Sequence, residues 1–139
     1  MEVRLLICNL VSLAAMGLVS LPLVPACAWA GDQAKPRLKV VTLDSQGYQE
    51  ILSGPPESVR MKSGYVVLHP KQSVGKHSTG QHEEMLVVLE GHGRMVMAEG
   101  NKVDVKANSV LYCPSDTEHD VVNTGDSVLR YVYVVANTK

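Results

Sequence analysis

The sequence predicts an all-β domain, a sandwich or barrel, over residues 31–139, and three observations carry that expectation. Apolar residues come in short, valine-rich runs. Turn-forming glycine, proline and asparagine break those runs at the spacing of about 8–12 residues typical of such folds. No stretch of the domain has the periodicity of a helix.

A signal segment is expected at residues 1–30. Arg4 gives the start a positive charge, and an almost unbroken apolar run extends from Leu5 to Val24. Pro22 and Pro25 close it, and Ala28-Trp29-Ala30 supplies the small-x-small pattern that a signal peptidase cuts. Two rival readings exist. The run is long enough, at about 20 residues, to span a bilayer as an uncleaved anchor. Val24-Pro25-Ala26-Cys27 also loosely resembles a lipoprotein cleavage box, with Cys27 as the lipidated residue. All three place residues 31–139 in the periplasm or outside the cell, and cleavage leaves no stable membrane insertion.

Of three cysteines, Cys8 and Cys27 lie in the leader and only Cys113 remains. The domain therefore has no internal disulfide and must rely on its core. Lysine and arginine number 13 against 14 acidic residues, for a net charge of −1. With no basic patch, nucleic acid is excluded as a partner.

Residues 31–37 are polar and read as a lead-in. Strands are expected at Leu38–Leu43, Tyr65–Leu68, Met85–Leu89, Arg94–Ala98, Val103–Val105, Val110–Cys113, Asp120–Val122 and Leu129–Val135. Gly54-Pro55-Pro56, Gly91-His92-Gly93, Gly100-Asn101 and Asn123-Thr124-Gly125-Asp126 are among the turns between them. Met85–Leu89 and Tyr131–Val135 are apolar on both alternating faces. One face fills the core and the other needs a cover, so a homodimer, or a strand exchanged from around Leu38–Leu43, is expected.

The chemically informative stretch runs from His77 through His82, Glu83 and Glu84 into the buried run Met85–Leu89. On a strand, His82 and Glu84 share a face and Glu83 points the other way. A second stretch, Cys113 to Asn123, brings His119 to the start of another valine-rich strand, with Glu118 and Asp120 alternating away from it as surface charges. Imidazoles and a carboxylate converging on an apolar cavity suit a first-row divalent metal. His69 and His92 read as surface or structural residues, and Cys113 as a buried thiol. Met61, Met95 and Met97 are expected to line the barrel. Which of Tyr48, Tyr65, Tyr112, Tyr131 and Tyr133 face a pocket, parity alone does not decide.

Residues 60–135 resemble the cupin superfamily. In the family's first motif, G-x5-H-x-H-x3/4-E-x6-G, His77, Glu84 and Gly91 take the first histidine, the glutamate and the closing glycine. In the second, G-x5-P-x-G-x2-H-x3-N, Pro114, His119 and Asn123 match in order and spacing. Lys71, Asn108 and Asp116 stand where the motifs have glycine, and Thr79 stands where the second histidine would be. The resemblance implies a cupin-type jelly-roll β-barrel holding one divalent metal ion (Mn, Fe, Ni, Zn or Cu). It implies His77, His82, Glu84 and His119 as ligands if His82 fills the position of Thr79. Otherwise the set is His77, Glu84 and His119, or the metal has been lost. Such a protein is either an enzyme of dioxygenase or isomerase type acting on a small organic molecule, a non-catalytic ligand-binding or sensor protein, or a structural dimer. The processing reading has a direct check: N-terminal sequencing of the exported protein should begin at Gly31, and a lipid-bearing Cys27 or an intact leader would contradict it.

Overall fold

The computed structural model describes residues 35–139. The expected leader at 1–30, its alternative lipidation at Cys27 and the first lead-in residues lie outside the described residues. Nine strands follow in order: β1 Tyr48–Leu52, β2 Met61–Leu68, β3 His77–Ser78, β4 His82–Glu90, β5 His92–Met97, β6 Lys102–Lys106, β7 Val110–Cys113, β8 Glu118–Asn123 and β9 Leu129–Asn137. They form two antiparallel sheets, ordered β1-β2-β9-β4-β7 and β3-β8-β5-β6. The all-β expectation holds, and among the described residues there is no helix.

Alternation along the strands decides what lies between the sheets. On β4, Glu84, Leu86 and Val88 are buried while Glu83, Met85 and Leu89 are exposed. Val66 and Leu68 on β2, Met95 on β5, Val105 on β6, Val121 on β8, and Leu129 and Tyr131 on β9 complete the core with Leu86 and Val88. Each such side chain contributes about 1.5–3 kcal/mol when fully buried. Asn123 is the polar exception at 1% exposed. Its amide donates to Leu68 O and Ser127 O, both at 2.8 Å, and its Oδ1 accepts from Gly125 N at 2.9 Å. The side chain thus ties the β8–β9 turn to the end of β2.

Two expectations need correction. Leu38–Leu43 forms no strand: it pairs with neither sheet, and Leu38 and Val40 are 99% and 90% exposed. The edge beside β2 is taken by Tyr48–Leu52, whose polar and apolar residues give a weaker strand signal. Met61, expected in the barrel, is 44% exposed, because the inward parity of β2 falls on Val66 and Leu68; Met95 is in the core and Met97 is half-buried.

The three substituted motif glycines keep left-handed backbone: φ is 69° at Lys71, 65° at Asn108 and 55° at Asp116. Asn and Asp tolerate this conformation, whereas a lysine is strained in it. Gly91 is left-handed too, at φ 78°, and a Cβ there would lie 2.2 Å from Val128 O. Opposite outcomes follow for the two turns. Gly91→Ala should lower stability by at least about 1–3 kcal/mol. Lys71→Gly should raise it by about 0.5–1 kcal/mol, the relief of strain less the added freedom of the unfolded glycine. Urea unfolding measures both.

Candidate metal centre

His119 sits on β8 directly opposite His77 on β3, so the cross-strand register brings the two rings together, with centroids 4.4 Å apart. Glu84 reaches them from the other sheet. It is buried on β4 beside Cys113 of β7, and its Oε2 lies 3.1 Å from His119 Nε2. The ligand atoms of His77, Glu84 and His119 all lie within 4.8 Å of one another.

Both imidazoles are oriented from behind. His77 Nδ1 donates to Gly75 O at 2.8 Å, and His119 Nδ1 to Thr117 O at 3.2 Å. A hydrogen on each Nδ1 leaves each Nε2 with its lone pair available. This is the arrangement in which a backbone carbonyl fixes the tautomer of a metal-ligating histidine. His119 is fully buried, and its Nε2, though 3.1 Å from Glu84 Oε2, makes no hydrogen bond. A buried nitrogen aimed at a buried carboxylate and lacking a proper partner fits a cation shared between them. The Glu84 carboxylate also holds the His119 pKa above its ordinary value, against the opposing effect of burial.

Cys113 lies behind this group, its Sγ 3.6 Å from His119 Nδ1. Burial first, and then the Glu84 carboxylate, push its thiol pKa up, so it packs as a neutral thiol. His69 and His92 are exposed, and Glu118 pairs with Lys76. His82 is half-buried and lines the same cavity as Glu84, with Nδ1 3.3 Å from Thr79 O. It is not one of the three groups whose ligand atoms converge.

Thr79 has a role that spacing did not reveal. It is 7% exposed, and its hydroxyl donates to Pro114 O and accepts from Thr117 N, both at 2.9 Å. Its own N–H donates to Thr117 O at 3.0 Å, the carbonyl that also receives His119 Nδ1. The residue in the place of a ligand therefore clasps the loop that leads into the strand carrying His119. Its position in the first motif stretch gave no signal of this role.

A cavity of about 610 Å³ is lined by His77 and Glu84, with His119 buried behind them. Val66, Leu68, Val74, Val121 and Val135 give it apolar walls, and Tyr48, Tyr131 and Tyr133 line it as well. The Tyr48 and Tyr133 hydroxyls are 3.0 Å apart, and their rings stack at 6.5 Å. Burial raises the Tyr131 and Tyr133 pKa values, so both stay phenols. Tyr112, by contrast, is exposed on the outer face near Glu83. The clasp is testable. Thr79→Val keeps the shape but strands two backbone groups, so thermal melts should show a loss of about 1–3 kcal/mol. Metal titration should show affinity lower by roughly tenfold or more, as for other groups that orient ligands. Thr79→Ser should preserve both.

Comparison with known proteins agrees with this fold. The family model Cupin_2, described as a cupin domain, matches residues 64–135. A search of curated proteins gives no match. Among solved structures, the chain is similar to a Cupin 2 conserved barrel domain protein from Salinispora arenicola, at 21% identity and a TM-score of 0.62, covering 73% of this chain and 91% of that one. A Bacillus halodurans protein aligns at 19% identity and a TM-score of 0.64, covering 75% and 84%. A cupin protein from Bacteroides fragilis aligns at 18% and 0.63, covering 72% and 84%. These likenesses show a shared fold. With the family model spanning both motif stretches and the sandwich built as described, the chain belongs to the cupin family.

Proposed function

We propose that this cupin is exported, binds one divalent metal ion on His77, Glu84 and His119, and acts as a metal-dependent enzyme of dioxygenase or isomerase type on a small organic molecule. The observation that carries the reading is the convergence of two imidazoles and one carboxylate, of which His77 and Glu84 line a largely apolar cavity. Two histidines and a carboxylate leave coordination positions open, which suits binding of a substrate oxygen. When bound, the metal supplies Lewis acidity or redox chemistry.

The protein's own groups do the rest. The valine walls hold an apolar substrate body and exclude water from the reacting group. Because His82 Nδ1 faces Thr79 O, its proton sits there and Nε2 is left as a base. From the cavity wall, His82 Nε2 accepts or returns a substrate proton. A second copy of the chain is the proposed cover for the outer face where Met85, Leu89, Val110 and Tyr112 are 45–63% exposed.

Protein recovered from its own compartment should carry about one divalent ion per chain. His119→Ala should remove most of it while circular dichroism retains the β signature. Unchanged metal content in His77→Ala, Glu84→Ala and His119→Ala alike would refute the shared site. Metal-dependent turnover, abolished in His82→Gln with metal retained, separates the enzyme from a non-catalytic binding protein.

A further inference from the structure

Strand register places one cationic side chain on the level of Glu84 in the cavity wall. Glu84 on β4 pairs with Val135 on β9, and Val135 pairs with Lys62 on β2. The three residues form a single rung and all line the cavity. Two strand spacings separate Glu84 from Lys62, about 10 Å between backbones. One step deeper on the same face, the next rung is Gly64, Tyr133 and Leu86.

The surroundings of Lys62 leave its charge uncommitted. Its stem lies along Gly54, where a Cβ would come within 3.0 Å of its Cε. The ion pairs among the described residues use Lys39, Lys76, Arg94 and Arg130, and none uses Lys62. Glu50 shares this side of β1, but it is exposed, stands in register with Gly64 and makes no ion pair with Lys62. Lys62 thus stands exposed at the rim of an apolar cavity, with its charge not committed to any described carboxylate.

The phenol pair adds a directional donor beside it. Two tyrosine hydroxyls carry two protons, and their mutual 3.0 Å contact uses only one. The other is available to an acceptor in the cavity. Gly64 makes the arrangement possible: a Cβ there would lie 2.7 Å from Tyr133 Cε1 and 2.9 Å from Tyr48 Cε2. The two rings therefore pack over a backbone that has no side chain.

From this geometry we infer that Lys62, with the Tyr48–Tyr133 hydroxyl pair, forms a carboxylate subsite, and that the ligand is a short-chain acid. Its carboxylate lies against Lys62, its apolar middle crosses Val135, and an oxygen at its other end meets the metal. The inference rests on the metal-site reading proposed above and names the ligand class for it.

The test uses cobalt(II)-loaded protein and two probes. Imidazole reports an open metal position through the visible cobalt bands and needs no anion subsite. The dicarboxylates malonate, succinate, glutarate and adipate report both ends together, measured by calorimetry and by the same bands at concentrations that leave cobalt bound. Wild-type protein should bind a dicarboxylate longer than malonate most tightly. Lys62→Met should weaken that binding by about tenfold or more, the effect of a lost charge-assisted hydrogen bond, and Lys62→Arg should restore most of it. Imidazole binding should be the same in all three proteins. If imidazole binds but no dicarboxylate does, or if dicarboxylate binding ignores Lys62→Met, the carboxylate subsite is overturned while the metal site stands. If cobalt does not bind, or imidazole leaves its bands unchanged, the metal-site reading fails and the subsite falls with it.

Discussion

The site depends on one backbone carbonyl, that of Thr117. It accepts the Nδ1 proton of His119 and the amide proton of Thr79 together, while the Thr79 hydroxyl holds the Thr117 amide and the Pro114 carbonyl. These bonds join the segment after β3 to the loop before β8, next to the two strands that supply His77 and His119. The ring of His119 is thereby fixed in both tautomer and direction before any ligand arrives. A buried imidazole with no such anchor would rotate to satisfy its own nitrogens and lose its aim.

Around that anchor, sheet geometry does the positioning. Glu84 is brought in by β4, whose alternation sends Leu86 and Val88 into the core and the glutamate to the cavity. The same parity runs across β9 and β2, so the rung through Val135 reaches Lys62 and the next rung carries Tyr133. Burial of the carboxylate is costly unless a cation or proton accompanies it. The Glu84 carboxylate favours positive charge on His119, which raises the pKa of that imidazole against the effect of burial. A metal ion would replace the proton as the partner of both groups.

Much of this was legible in the sequence, and the exceptions have physical causes. Valine-rich runs and turns gave the all-β fold, and motif spacing gave His77, Glu84, His119 and the structural Asn123. Lys71, Asn108 and Asp116 looked like departures from the motifs, yet each keeps the left-handed turn that glycine would make. Leu38–Leu43 misled because local alternation says nothing about whether a free sheet edge is at hand. Thr79 looked like a lost ligand because its two hydroxyl bonds reach residues 35 and 38 positions away, beyond the range of any local pattern. The cavity tyrosines required the β9 register, which two-residue periodicity narrows but does not assign.

The central claim is that two imidazoles and one carboxylate, from His77, His119 and Glu84, hold the metal. X-ray absorption at the edge of the bound metal tests it most directly, because imidazole rings leave a characteristic outer-shell scattering that can be counted. The account predicts two imidazoles, with first-shell nitrogen at about 2.0–2.2 Å, the remaining donors being oxygen. A count of three, falling to two in His82→Ala, would contradict it and make His82 a ligand.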